Sequence, residues 1–326
     1  MVVLVTGATG FLGSHVAMAL KSEGVVATGR NKRALARLAT YGLRAVPIDL
    51  RAPIAQADRD RIGPVTAIVH CAGLSSPWGS PAAFHQANVA ATHHLLDMAS
   101  DMGVCRFVYI STASVYFRFA DQDGLQEDQL PPRFVNAYAQ TKRQAELAVL
   151  ARAEVGPVVI RPRGIYGAGD NALLPRLMRV ARRGPLPRFA EDGATDITHV
   201  DDVVAAILAA LRSDVTGEVL NISGGVGLPL PQIIAAACTA TNVPLRWRHL
   251  PFGPTLAATR MVEAAARILP GRPEPPVTAY ALGLLRYRQT IDISKAARLL
   301  GWTPQISFEE GLDRSFADGK MREGVL

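Results

Sequence analysis

The sequence predicts a doubly wound α/β fold followed by a smaller region of different character. Three observations lead there. Short β-branched runs alternate with helical stretches over the first 165 residues, a glycine-spaced turn joins the first such run to the first helix, and the alternation breaks down after Arg161.

Taken in order, the runs 2–6, 25–28, 44–48, 67–70, 106–111 and 158–161 are short and apolar, as strands covered on both faces are. Between them, 11–23, 31–41, 81–102 and 138–153 carry apolar residues at three- and four-residue intervals, the period of a helix lying on a sheet. Gly167-Ala168-Gly169-Asp170 then opens a stretch of basic helix, proline and irregular chain. Within it, 202–211 and 217–222 read as one more helix and strand returning to the sheet, and 229–241 reads as a helix. Segment 251–271 is amphipathic, with Leu256, Met261, Val262, Ala265, Ile268 and Leu269 able to share a face.

Composition narrows the class. With 49% hydrophobic and 19% charged residues in 326, the chain can bury a large core and does not have the make-up of a disordered protein. No apolar run approaches the roughly 18–20 residues that span a bilayer, and the N-terminus lacks a basic leader, so a cytoplasmic location is expected. Cys71, Cys105 and Cys238 are odd in number and far apart, which suits neither a disulfide framework nor a metal knuckle. His93 and His94 are adjacent and cannot face one ion from a helix, so no metal is expected. The formal charge of +7 suits an anionic ligand or an acidic membrane surface. The basic residues are dispersed with little aromatic interleaving, and nucleic acid is not expected as a partner.

Directly after the first run comes Thr6-Gly7-Ala8-Thr9-Gly10-Phe11-Leu12-Gly13. Glycines at 7, 10 and 13 permit a tight turn, a close backbone approach to a pyrophosphate, and close packing of helix on strand. The helix N-terminus presents its free N–H groups to that anion. At the end of the second run stands Thr28-Gly29-Arg30-Asn31-Lys32-Arg33, with no carboxylate to repel a phosphate. Arg30, Asn31 and Arg33 can hold a ribose 2′-phosphate, which predicts NADP rather than NAD. Tyr138-Ala139-Gln140-Thr141-Lys142 places a phenol and an ammonium four residues apart on one helix face, where the lysine charge would favour phenolate and proton exchange with a carbinol.

Together these motifs resemble the extended short-chain dehydrogenase/reductases, whose turn has this T-G-x-x-G-x-x-G form, over nearly the whole chain. The resemblance implies a Rossmann domain over 1–166, to which 199–222 return, and a substrate-binding region over 167–198 and 223–326. It implies that Asp49-Leu50 meets the adenine and that Ala72-Gly73 passes against the adenine ribose. Thr9, Phe11 and Leu12 in the turn, and Pro162 in Arg161-Pro162-Arg163, are implied as further cofactor contacts. The family's substrate-orienting hydroxyl falls on Thr112 in Ser111-Thr112-Ala113-Ser114-Val115-Tyr116, with Ser111 as a possible substitute. Its helix asparagine falls on Asn88, and Tyr138 and Lys142 are implied both to catalyse and to touch the cofactor. His199 in His199-Val200-Asp201-Asp202 is read as a helix cap. A homodimer paired through two helices is typical of the family.

Three branches compete. Nucleotide-sugar dehydratases follow their threonine with an acid pair, where this chain has Ala113-Ser114. Sugar-nucleotide enzymes usually carry a diphosphate-binding arginine where Thr195 stands. Pro77-Trp78-Gly79-Ser80 and Gly271-Arg272-Pro273-Glu274 resemble instead the branch of 3β-hydroxysteroid dehydrogenases and 2-alkyl-3-oxoalkanoate reductases. The expectation is an NADP-dependent oxidoreductase interconverting a secondary alcohol and a ketone on an apolar 3-hydroxy/3-oxo small molecule. Trp78, Phe84, Trp247, Phe252, Leu256 and Met261 are candidates to line its pocket, and Trp78, Ser111 and Arg163 to touch the substrate. The alternatives are a nucleotide-sugar epimerase and, in another class, a non-catalytic dinucleotide-binding regulatory protein.

Overall fold

A computed structural model describes residues 1–170, 173–269 and 271–316. Seven parallel strands form the main sheet in the order Glu218–Ile222, Pro157–Pro162, Arg106–Ile110, Ala67–His70, Val3–Thr6, Val25–Gly29, Arg44–Pro47. The order reverses at Val3–Thr6. The crevice beyond the carboxyl ends of that strand and of Ala67–His70 is where such sheets bind ligands.

Alternation along each strand explains the two cores. Val3, Val5, Val108, Ile110, Val158 and Ile160 point to one face, beneath helices Phe11–Ala19 and Val200–Arg212. Leu4, Ile68, Phe107, Tyr109 and Val159 point to the other, beneath Ala91–Asp101 and Ala137–Leu150. A strand covered on both faces needs apolar residues at every position, which is why these runs carry no polar alternation.

Helix ends depart from the periodic reading. The first helix closes at Ala19, and a 3₁₀ turn, Lys21–Glu23, leads into Gly24. The predicted helix 81–102 is three pieces: Pro81–Phe84, a π-helical stretch His85–Ala90, and Ala91–Asp101. The periodicity gave no sign of helix Gln56–Ile62 or of a second sheet. In that sheet Gln122–Leu125, from the first half of the chain, pairs with Gln289–Ile291. Expected and observed elements coincide better for Val200–Arg212, Glu218–Ile222 and Leu230–Ala240. His199 caps the first of these, its Nδ1 accepting from Asp201 N at 3.3 Å. Residues 171–172, 270 and 317–326 of the predicted substrate-side segments lie outside the described residues.

Phe252–Ile268 corrects the amphipathic reading. Its buried residues are Glu263 and Ala266, while Met261, Val262, Ile268 and the following Leu269 are exposed. Of the face read from the sequence, Met261, Val262, Ala265, Ile268 and Leu269 share one side, which is turned outward, while Leu256 falls on the opposite side and is half-buried. The helix is fixed through its other side, where Glu263 Oε1 accepts from Ala279 N at 2.8 Å.

Candidate active site

The glycine turn is built as its spacing requires. Gly7 has φ +66°, and a Cβ there would lie 2.7 Å from Ala72 N; a Cβ at Gly13 would lie 2.2 Å from Gly7 O. Gly10 caps the first helix without any side-chain bond, leaving its leading N–H groups to an anion. The turn therefore packs directly on Ala72-Gly73. A pyrophosphate cradle of this kind needs backbone and no side chains, and the residues present fit a dinucleotide.

At its far end a cavity of about 430 Å³ is lined by Thr9, Asn31, Arg33, Ala34 and Arg37. Asn31 caps helix Lys32–Thr40, its Oδ1 accepting from Ala34 N at 3.1 Å. Asp49, at the end of the third strand, accepts from Arg51 Nε at 2.9 and 3.0 Å and from Nη2 at 2.5 Å. That hydrogen bonding holds the carboxyl down at about 2, and Arg30 adds to the effect. Arg37, not singled out from sequence, lines this end with Arg33, and Arg30 is near enough to act on Asp49, while Arg51 is matched by that carboxylate. Leu50 is buried beside them, its carbonyl bonded to His94 Nδ1 at 2.9 Å.

The ledge after the fourth strand is fixed by polar groups beneath it. His70 is fully buried, with Thr6 Oγ1 2.7 Å from Nδ1 and Thr92 Oγ1 3.0 Å from Nε2, and burial pushes it down to about 3, so it stays neutral. Thr6 Oγ1 also accepts from Ala72 N at 3.2 Å. Asn88, in the π-helical stretch, accepts from Leu74 N at 2.7 Å and donates to Leu74 O at 3.2 Å and Thr141 Oγ1 at 3.1 Å. The one wide turn of helix points Asn88 at the loop, and that loop carries Ser75 to Tyr138.

Tyr138 and Lys142 stand on helix Ala137–Leu150, which Asn136 caps through Ala139 N at 2.9 Å. Burial raises the Tyr138 phenol, hydrogen bonding with Ser75 and Thr112 draws it down, and Tyr280 adds to the rise. The net direction is upward. Lys142 does not supply the expected depression: its Nζ donates to Ile110 O at 2.5 Å and lies 4.2 Å from the Tyr109 ring centre. Burial pulls that lysine down to about 7, against the opposing pull of Glu146 and Cys71. A Cβ at Gly73 would come within 3.9 Å of the same Nζ, so the ammonium borders the ledge on the glycine turn.

A hydroxyl chain leads away from the phenol. Thr112 Oγ1 donates to Ser114 Oγ at 3.1 Å, and Ser114 Oγ shares a 3.0 Å bond with Tyr280 OH. The Tyr280 ring packs on Phe117 at 4.9 Å, and a row of rings continues through Phe119, Tyr287, Phe252 and Phe189 at 5.0–6.3 Å. Ser75, Ser114 and Tyr280 carried no sequence signal, because nothing local says which hydroxyl a distant helix will meet.

Three expected substrate contacts are placed otherwise. Ser111 donates to Glu146 Oε1 at 2.5 Å and joins the buried Arg161 pair. Arg163 is buried, donating to Thr195 Oγ1 at 2.7 Å and Gln289 Oε1 at 3.1 Å. Each stands one residue past its strand, Arg106–Ile110 and Pro157–Pro162, and both are buried. Trp78 Nε1 donates to Arg272 O at 2.9 Å, tying two loops together. The expected apolar pocket also disperses. Phe84 backs the Tyr138 ring at 6.3 Å, Trp247 lies by Arg188, and Met261 is 68% exposed. Pro162 ends its strand beside Ile222.

The model of the NAD dependent epimerase/dehydratase family matches residues 3–223. A 2-alkyl-3-oxoalkanoate reductase of Stenotrophomonas maltophilia is 33% identical over 326 residues, 96% of this chain and 98% of its own length. A 4-hydroxy-2-methyl-3-oxo-4-farnesyl-3,4-dihydroquinoline-1-oxide ketoreductase of Stigmatella aurantiaca is 30% identical, covering 99% and 98%. Among solved structures, MoeE5 in complex with UDP-glucose and NAD shares 28% identity at TM-score 0.74, covering 97% of both chains. The UDP-glucose 4-epimerase of Thermus thermophilus with NAD matches in fold at TM-score 0.76 and 23% identity over the whole of both chains.

Proposed function

The chain belongs to the NAD dependent epimerase/dehydratase family, and from that membership we propose that it interconverts a secondary alcohol and a ketone on an apolar 3-hydroxy/3-oxo substrate, either 3-oxoalkanoate or steroid-like, with NADP as the preferred coenzyme. The observation that carries the reading is the Tyr138 phenol, set between Ser75 and Thr112 and followed one turn later by Lys142, beside the ledge that rests on Gly7. The row of aromatic rings running from Tyr280 supports an apolar substrate. Two relatives with reductase names support ketone reduction.

In this reading Gly7, Gly10 and Gly13 with Thr9, Phe11 and Leu12 hold the pyrophosphate, Arg30, Asn31 and Arg33 the 2′-phosphate, and Asp49, Leu50, Ala72, Gly73 and Pro162 the rest of the coenzyme. A bound dinucleotide supplies the nicotinamide carbon that gives or accepts hydride. Tyr138, kept protonated by burial, donates its proton to the carbonyl oxygen in reduction and takes it back in oxidation. Thr112 orients that oxygen, Asn88 holds the Ser75 loop, and Lys142 keeps a positive charge at the ledge. The described residues within 167–198 and 223–316 form the substrate side.

Tyr138→Phe removes the proton donor without altering the glycine turn. Turnover of 3-oxo lipids with NADPH should fall by about 10²–10⁴-fold while coenzyme affinity stays near its original value. Undiminished turnover would refute the proton role. A purified protein that retains NAD and interconverts sugar nucleotides with no net absorbance change would assign the epimerase reading instead.

A further inference from the structure

Thr112, Ser114 and Tyr280 line up as a row of hydroxyls, and each has a single hydrogen to give. Thr112 Oγ1 donates to Ser114 Oγ at 3.1 Å and accepts from Ser114 N at 3.1 Å, and Ser114 Oγ lies 3.0 Å from Tyr280 OH. In this direction, from Thr112 toward Tyr280, Thr112 has spent its hydrogen on Ser114. It has none left for a carbonyl oxygen set beside Tyr138.

The row can run the other way. With Tyr280 OH donating to Ser114 Oγ and Ser114 Oγ donating to Thr112 Oγ1, both lone pairs of the threonine oxygen are filled, one by Ser114 Oγ and one by Ser114 N. Its one hydrogen must then leave the row, on the side where Thr112 meets Tyr138. Only hydroxyl hydrogens rotate in this reversal. Tyr280 is half-buried, so its own hydrogen can turn from water to Ser114.

The packing fixes Tyr280 at the head of the row. It stands in the first turn of helix Ala279–Arg286, which Thr278 caps through Ala281 N at 3.2 Å, and its ring meets Phe117 edge-on at 4.9 Å. Gly283, one turn on, closes on the same ring: a Cβ there would lie 2.5 Å from Phe117 Cζ. Phe117 directly follows the 3₁₀ turn Ala113–Tyr116 that carries Ser114. The two hydroxyls are therefore set from one close contact, and that contact asks only for a ring at 280. The hydroxyl serves the row.

We propose that Tyr280 is a positioning residue, whose O–H, acting through Ser114, turns the Thr112 hydrogen toward the substrate carbonyl. The inference rests on the ketone-reductase reading, in which Tyr138 and Thr112 touch the reacting oxygen and Tyr280 does not. A hydrogen bond from Thr112 gains strength as charge builds on that oxygen, so its loss is felt in kcat.

The test is steady-state kinetics with NADPH and a 3-oxo lipid on Tyr280→Phe, Ser114→Ala, Thr112→Val and the Tyr280→Phe/Thr112→Val pair. Tyr280→Phe and Ser114→Ala should each lower kcat by about 10-fold with KM little changed. In the Thr112→Val background, Tyr280→Phe should cost less than about 2-fold more, because the row then has nothing to orient. A hydroxyl with a merely structural role, or one that touches the substrate directly, would carry its full cost into that background. That outcome would overturn the proposal, as would an undiminished kcat in Tyr280→Phe or Ser114→Ala. Where Tyr138→Phe is inactive and Tyr280→Phe matches the wild type, the inference falls and the reductase reading stands; a wild type that reduces no 3-oxo substrate takes both.

Discussion

At the residue scale, the most consequential group is Lys142, an ammonium inside the protein. A lysine whose folded value, about 7, lies below its ordinary 10.5 binds fewer protons folded than unfolded. Its cost to stability is therefore complete below pH 7 and shrinks as the pH climbs toward 10.5. Lys142→Met should raise the unfolding free energy at pH 6–7 by on the order of a few kcal/mol, with a higher melting temperature there, and should lose the advantage near pH 10 while abolishing turnover. Thermal melts across that range read it directly. The basic rim of the Thr9 cavity gives a second expectation. Arg33→Ala should raise KM for NADPH by about 10-fold and leave NADH nearly unaffected, since one charge-assisted hydrogen bond to phosphate is lost; steady-state kinetics with both coenzymes measures it. The motif residues here, Gly7, Gly13, Tyr138 and Lys142, were legible in the sequence. Ser111 and Arg163 were read as substrate contacts, and the structure gives them Glu146, Thr195 and Gln289 as partners, because a motif position fixes where a residue stands along the chain and not which groups fill the space it faces.

At the element scale, helix Ala137–Leu150 is anchored by a buried ion pair. Arg161 Nη2 donates to Glu146 Oε2 at 2.7 Å, both side chains are fully buried, and Ser111 and Arg143 complete the carboxylate's partners. Burial alone would push Glu146 up, but Arg161 leads the hydrogen bonds that bring it below the usual carboxylate range. The stabilisation is present above the ordinary carboxylate value and is lost as the pH falls through the folded one. Glu146→Ala leaves Arg161 charged and unpaired inside, and should cost about 3–5 kcal/mol in urea unfolding at neutral pH. Lys142 stands one turn before Glu146 on this helix, so loss of the anchor should lower activity as well. Periodicity predicted the helix; it had no means of predicting that a strand would present an arginine to it.

At the scale of the whole molecule, the described residues form an oxidoreductase of the extended short-chain dehydrogenase/reductase type, with a helix from the far end of the chain reaching the hydroxyls of Thr112 and Ser114. Ser114 and Tyr280 are 166 residues apart and share one hydrogen bond. Tyr280→Phe keeps the ring packing on Phe117 and removes only the hydroxyl. It should lower kcat/KM for 3-oxo substrates by about 10-fold, the worth of one hydrogen bond near the reacting oxygen, and leave coenzyme affinity unchanged in a fluorescence titration. Trp302 makes a similar long link, its Nε1 donating to Asp202 O at 3.1 Å, and so ties the segment after helix Ser294–Leu300 to helix Val200–Arg212.

By itself the sequence determined the class of fold, the glycine turn between first strand and first helix, the basic run after the second strand and the Tyr138/Lys142 face. Each is a local pattern, fixed by spacing within one strand, turn or helix. Only the tertiary structure decided that the apolar face of Phe252–Ile268 looks outward, that Lys142 bonds a strand carbonyl, and that Ser75, Ser114 and Tyr280 gather around the phenol. Those outcomes depend on which surfaces meet across long sequence separations, and periodicity is blind to the identity of a distant partner.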